Sequence, residues 1–367
     1  MSEYDDADDD LPTPQNRTIV WLKRLGLALA VLLLVLTVVN ASWMVKGPPG
    51  YVKLLAHRGT MQQFDHAGLT NDGCSATRIE KPVHDFLEDT IEGITQAGRL
   101  GAQMIRVDVA PTKDRYIVLF HDWTLDCRTN GTGAVRDKTW AELKTLDIGY
   151  GYTADGGKTF PFRGQGIGKM PLLTDTLAFV PDTALLYSLK SKDPAEADLL
   201  IATLKDAGRD VVKRGDGFQG ATAQVERFRK AFPRAWAFSP EGAKQCTKDY
   251  LLQGWLTRVP ASCKGGTLMV PLNYQWAFAG WPDKTQNRMK EAGARILLTG
   301  PYGEEHAGTG LDLPEQIGKV PASFVGTVWV DDIYTVGPAL RPAYNKRRPD
   351  QDQALAEALA ARRKARE

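Results

Sequence analysis

From residue 51 onward the chain repeats one theme, and that rhythm constrains its fold more than any other feature. Short apolar runs, several of them β-branched, alternate with helical patterns. Strands are predicted over 52–56, 104–109, 117–120, 184–189, 235–238, 267–271, 295–298 and 325–330. Several are apolar on both faces, as parallel strands covered by helices on one side and packed on the other should be. Helices fit between them. One spans 90–100, with Ile91, Ile94 and Thr95 on one face. Another opens at Asp193-Pro194-Ala195-Glu196, where Asp caps, Pro occupies the first turn and Glu stands at the capping-box position; it ends near Gly208. A third covers 283–291 and closes at Gly293. This alternation predicts an α/β fold, a (β/α)8 TIM barrel; a doubly wound open sheet shares the pattern.

Ahead of this region, residues 25–45 carry no charge. A helix of about 21 residues would be about 31 Å long, enough to cross a bilayer. Arg17, Lys23 and Arg24 precede the run and only Lys46 follows closely. The cationic bias places the N-terminus in the cytoplasm and the rest in the periplasm or outside the cell. A cleaved signal peptide is the competing reading. The long leader with Asp5, Asp6, Asp8, Asp9 and Asp10, and the lack of a small-x-small site near Asn40-Ala41-Ser42, favour an uncleaved anchor. The expected organisation is an acidic cytoplasmic tail (1–24), a transmembrane anchor (25–45), a barrel (46–342) and a charged, helical C-terminal tail (343–367). That tail reads as a solvated helix or, given Arg362, Arg363, Lys364 and Arg366, as a basic surface facing anionic lipid.

The four cysteines all lie on the exported side of the apolar run, which favours disulfides over free buried thiols. Of three pairings, Cys74 with Cys127 and Cys246 with Cys263 is preferred, because each pair flanks one region. Lys+Arg at 46 nearly balances Asp+Glu at 44, so nothing in the overall charge points to nucleic acid.

Chemistry concentrates in two places. His57-Arg58-Gly59 ends the first predicted strand, and residues 101–133 form a strand, a turn and a second strand that ends on His121-Asp122, followed by a Gly- and Thr-rich loop. Strand ends opening onto loops are where a barrel collects polar side chains. An imidazole there exchanges protons near neutral pH, and a guanidinium grips phosphate oxygens through two donors. Two histidines, arginines and a carboxylate together point to work on a phosphate ester.

These residues carry a resemblance. From about residue 53 to 190 the chain resembles the glycerophosphodiester phosphodiesterase family of TIM-barrel enzymes. The match runs through His57-Arg58-Gly59, Glu88-Asp89-Thr90 in place of Glu-Asn-Thr, Asp108, Thr112-Lys113-Asp114, His121-Asp122, Arg128-Thr129-Asn130-Gly131-Thr132-Gly133, Met170-Pro171-Leu172-Leu173 and Lys190. Past Lys190 only the strand rhythm continues, with Val330-Asp331-Asp332 resembling the last strand and loop. The resemblance implies a barrel that cleaves phosphodiesters, with Ca²⁺ or Mg²⁺ on carboxylates of the second strand.

Here the sequence departs from the pattern. Arg106 stands where the family has a metal-binding Glu, and Ser188 replaces another; Asp108 alone survives as a metal-ligand candidate. One carboxylate, even with Glu88, is a poor cage for a hard cation. No cofactor is firmly expected; a weakly held Ca²⁺ or Mg²⁺ is the alternative, and a site disabled by Arg106 is another. Side chains alternate along a strand, so Arg106 and Asp108 share a face, and the guanidinium can stand in for the cation, as in bacterial phosphatidylinositol-specific phospholipases C, which this arrangement resembles. The expected roles are His57 and His121 as acid–base pair, Arg58 and Lys190 on phosphate, Arg106 as charge stabiliser steered by Asp108, Glu88 orienting His57 or Arg58, and Glu88 and Asp122 beside the substrate. The long Gly-rich stretch 149–173 is either a wall that selects the head group or an ordered surface loop. The function expected is a membrane-anchored phosphodiesterase acting on glycerophosphodiesters or lysophospholipids; the alternative is a catalytically silent head-group or lipid binder on the same scaffold.

Overall fold

A computed structural model describes residues 17–70 and 73–367. The strands are β1 (Lys53–His57), β2 (Met104–Pro111), β3 (Ile117–Leu119), β4 (Ala184–Leu189), β5 (Gly217–Gln219), β6 (Trp236–Phe238), β7 (Thr267–Pro271), β8 (Arg295–Thr299) and β9 (Thr327–Val330). Eight of them pair in parallel in the order β6-β5-β4-β2-β1-β9-β8-β7, a nearly closed TIM barrel. At the seam, the Trp236 indole N–H donates to Thr267 Oγ1 at 2.9 Å, and the Cys246–Cys263 disulfide ties the helix after β6 to the segment before β7. The strand expected over 117–120 is present as β3, running antiparallel to β2 and outside the parallel order, because the turn after Pro111 folds the chain straight back. The strand at Gly217–Gln219 was missed because three residues carry too little periodicity to read.

Strand parity explains where the core ends and the chemistry begins. Leu54, Ala56, Ile105, Val107 and Val109 face outward into the main apolar core beneath the helices. Leu55, Met104, Leu186, Trp236, Leu297 and Trp329 form a second cluster inside the barrel. The residues two and four places further along the same faces are polar: His57, Arg106, Asp108, Ser188 and Asp331. β1, β2, β4 and β9 thus change from apolar to polar at or just past their C-terminal ends.

A third cluster lies outside the barrel, above that end. Met61, Phe64, Ile79, Leu87, Phe120, Leu125, Tyr152 and Phe162 pack together beneath the loops 61–87 and 121–170, and the Cys74–Cys127 disulfide staples the two segments. Much of the Gly-rich stretch belongs to this cluster. Asp147 holds it by accepting from the backbone N–H of Gly149, Gly164 and Gly166, and a Cβ on Gly151 would collide with Cys127 O at 1.9 Å.

Both ends of the chain differ from expectation. The apolar helix runs Arg17–Val39, earlier than 25–45, and Thr18–Val39 is long and apolar enough to cross a membrane. It stops where the Asn40 amide donates to Leu36 O and to Trp255 O, turning the chain onto the barrel. The acidic stretch up to residue 16 lies outside the described residues. The C-terminal helix, Pro349–Lys364, is not a solvated tail. Leu355 and Leu359 enter the main core, and buried Arg362 pairs with Glu80 and Asp332 while Arg366 pairs with Asp312. Charged residues spaced along an Ala-rich helix look solvated in sequence; their partners are elsewhere in the chain.

Candidate active site

Asp108, buried at the mouth of the barrel, is the hub. Arg106, two residues back on the same face, donates from Nη1 to Asp108 Oδ2 at 2.9 Å, and its Nη2 lies 2.8 Å from Oδ1. The same guanidinium donates to Ser188 Oγ at 2.7 Å and to Gln219 Oε1 at 3.1 Å, across β4 and β5. Burial works against an ionised Asp108, yet Arg106 foremost among neighbouring cations holds it well below the usual carboxylate range. Arg58 Nε sits 3.1 Å from Asp108 Oδ2 without aiming its N–H there, so Nε and Nη1 are buried with no hydrogen-bond partner among the described residues. Two orphaned cationic donors at a barrel mouth suit an anionic oxygen.

The chain is bent sharply to place Arg58. Its φ is +59°, and Asp89, whose N–H donates to Arg58 O, has φ +54°. Positive φ at non-glycine residues costs about 1–3 kcal/mol each and persists only where the surroundings impose it. Gly59 is obligatory: with φ +81°, an added Cβ would meet the Gly93 carbonyl at 2.9 Å. Asp89 Oδ1 accepts from the Asp108 N–H, while Oδ2 is buried and unpartnered. Burial and the Asp108 charge push the Asp89 carboxyl well above its ordinary range, so it is held as the neutral acid, close in character to the Asn it replaces.

Both histidines lie within electrostatic reach of Asp108. His57 Nδ1 lies 2.8 Å from Asp331 Oδ1, and His121 Nδ1 lies 2.6 Å from Asp122 Oδ1. An ionised carboxylate only accepts, so each ring carries its proton on Nδ1 and leaves Nε2 free to exchange a proton. Burial, followed by Arg58, lowers His57 to about 4 against the pull of Asp331. Burial and Arg58 likewise push His121 well below its ordinary value. Lys190 and His121 line one small cavity with Asp108 and Trp123, and Lys190 Nζ stands 5.8 Å from the Trp123 ring centre.

Two expected placements change. Glu88 does not reach His57 or Arg58; its Oε1 is bound by Arg128, which also donates to Tyr152 OH and Ser75 Oγ, each at 2.7 Å. Asp122 has both oxygens engaged, by His121 and by Arg128 Nε at 2.8 Å, so it supports the ring instead of facing substrate. Sequence reading noted Arg128 and Asp331 as motif residues and gave neither a role. Gln219 lies on the strand that was missed.

The donor set does not suit a divalent metal. Asp108 has both oxygens on guanidinium groups, and among the described residues no three His, Cys, Asp or Glu side chains converge as a metal site.

The barrel mouth thus carries two strand-end histidines and a cationic centre. Residues 57–230 match the glycerophosphoryl diester phosphodiesterase family model. Over 124 residues it is 35% identical to a glycerophosphodiester phosphodiesterase of Caldanaerobacter subterraneus, 32% of this chain and 47% of that one. Over 136 residues it is 33% identical to an uncharacterized protein of Mycobacterium tuberculosis, 35% and 44% of the two chains. The chain thus spans less than half the length of these curated relatives. The crystal structure of the glycerophosphoryl diester phosphodiesterase domain of that mycobacterial protein aligns with a TM-score of 0.54 at 16% identity, over 79% of this chain and 98% of that one, a likeness of fold.

Proposed function

We propose that the barrel cleaves phosphodiesters of glycerol-type head groups by histidine acid–base chemistry, with Arg106 acting in the place of the metal that the resemblance implies. The observation that carries this reading is the pair of imidazoles, each held at Nδ1 by a carboxylate and both within electrostatic reach of Asp108, which Arg58 and Arg106 contact. Arg58, with two orphaned donors, and Lys190 bind the phosphoryl oxygens. Arg106, clamped by Asp108, Ser188 and Gln219, offsets the charge that develops as the phosphorus is attacked.

Burial, and after it Arg58, favours neutral imidazoles. An arriving phosphodiester anion offsets that cation and raises both histidines toward the range where one is protonated. The neutral imidazole takes the proton of the attacking water, or of the substrate's own hydroxyl, as the new P–O bond forms. The P–O bond to the alcohol breaks, and the protonated imidazole gives its proton to the departing alkoxide. The products are a phosphomonoester or cyclic phosphate and the alcohol.

The same reading makes Thr18–Val39 an uncleaved span with the N-terminus cytoplasmic and the barrel periplasmic or extracellular. Arg17, Lys23 and Arg24 in the N-terminal part of this helix and the two disulfides support it.

The test is turnover of glycerophosphodiesters and lysophospholipids by the purified full chain in EDTA, then with added Ca²⁺ or Mg²⁺. Turnover that survives chelation is expected. Turnover only with metal would remove Arg106 from its role, and none under any condition would leave a binding protein.

A further inference from the structure

The apolar helix does not hang free of the barrel. Along Ile19–Val39 most of its large side chains are exposed, and then Asn40 is buried. Asn40 Nδ2 donates to Trp255 O at 2.9 Å, and Arg288 Nη2 donates to Asn40 Oδ1 at 2.9 Å. Lys284 Nζ caps the Val39 carbonyl at 2.6 Å, and Ser42 Oγ accepts from the Asp283 N–H at 2.8 Å. The exit of the helix, Val39 to Ser42, is therefore fixed to the barrel by four hydrogen bonds, three to the helix that follows β7 and one to the turn after the helix that follows β6.

Trp255 identifies which rim is involved. It lies in the turn Gly254–Leu256, directly after the C-terminus of the helix Pro240–Gln253. In a (β/α)8 barrel the helices run opposite to the strands, so a helix C-terminus lies at the N-terminal ends of the strands, away from the catalytic mouth. The segment after Asn40 also returns to that rim, where Gly50 meets Val325 and the Lys53 N–H donates to Gly326 O. Around the exit of the helix stand large apolar side chains without cover: Trp43 (81% exposed), Leu252 (77%), Met44 (62%) and Leu256 (59%), with Trp255 beside them. Tryptophan and aliphatic groups at the level where a span ends are the side chains that settle in the lipid–water interface.

We infer that this rim rests on the bilayer, with Trp43, Met44, Leu252, Trp255 and Leu256 seated among the lipid head groups, and that the catalytic mouth faces the aqueous phase. The inference rests on the helix staying attached as a span. β1 begins at this rim and ends at His57, so His57 stands roughly 13 Å from the start of its strand, at about 3.3 Å per residue. Substrate then arrives from water as a soluble phosphodiester head group, and a lipid embedded in the same bilayer does not reach the histidines.

The test uses the full chain in lipid nanodiscs, with nitroxide labels on L252C, L256C and W276C. Trp276 lies after β7 at the opposite rim and is 75% exposed. Labels are read only in variants that keep both native disulfides by intact mass. Collision with lipid-soluble oxygen is compared with collision with a water-soluble nickel chelate. The expected result is a several-fold preference for oxygen at 252 and 256 and for nickel at 276. Equal nickel access at all three positions, or oxygen preference at 276, would overturn the orientation. The same mass measurement reports whether residues before Lys53 are still present; their removal would sink the anchoring reading, a failure distinct from a span that is present with its barrel turned the other way.

Discussion

The two histidine arms of the site do the same thing with different materials. His57 ends β1, and its carboxylate, Asp331, is 274 residues away just past β9. Asp331 is itself held by the Trp329 indole N–H at 3.0 Å and the Gly310 N–H at 2.8 Å, all within the barrel wall. His121 takes the carboxylate of the very next residue, and that carboxylate is positioned by Arg128, which anchors in the loop cluster with Glu88, Ser75 and Tyr152. One arm depends on barrel closure, the other on a small apolar core of loops. Damage to either should therefore be separable by where it acts.

The largest effect is expected from the rings themselves. His57→Ala and His121→Ala should each lower kcat by about 10²–10⁴ with the far-UV and near-UV circular dichroism unchanged, a loss measured by steady-state turnover. Unchanged turnover in both would remove the mechanism. The supporting carboxylates sharpen the contrast. Asp331→Asn should cost at least about tenfold more in kcat than Asp122→Asn, because Asp331 alone among the groups bonded to His57 offsets Arg58 and Arg106.

Stability divides the arms in the opposite sense. Arg128→Met leaves Glu88 and Asp122 without their buried cation and should destabilise the domain by about 3–5 kcal/mol in urea unfolding. A milder loss should come with acid. His57 and His84 are each lowered by burial to about 4, so the unfolded chain binds more protons than the folded one between that value and about 6.5. Their contribution is complete above about pH 6.5 and lost as pH falls toward 4, about 3 kcal/mol per ring. His57→Gln should flatten that slope. The smallest effect is a gain. Asp89 is raised by burial and by Asp108, so its contribution falls as pH rises above the ordinary carboxylate range. Asp89→Asn should stabilise the protein at neutral pH by on the order of 1 kcal/mol, read as a higher Tm.

Much of the site was legible because local rules govern it. Alternation along a strand is enough to put Arg106 and Asp108 on one face, and the structure has them hydrogen-bonded there. The disulfide pairing preferred from position is the pairing observed. Glu88 was misplaced because its partner is chosen in three dimensions. Nothing within a few residues of Glu88 reveals Arg128, forty positions on, just as nothing near Arg362 reveals Glu80, 282 positions back.

By itself the sequence determined the strand-and-helix rhythm, the strand ends on which His57 and His121 stand, and an apolar segment long enough to span a bilayer. These follow from side-chain period, hydropathy and capping, which act over a few residues. The tertiary structure alone decided that Asp331 serves His57, that Arg128 links Asp122 to Glu88, and that the C-terminal helix is bolted to the barrel instead of solvated. Those contacts join positions far apart in the chain, and a buried charge takes its partner from whichever segment the closed barrel brings within hydrogen-bond distance.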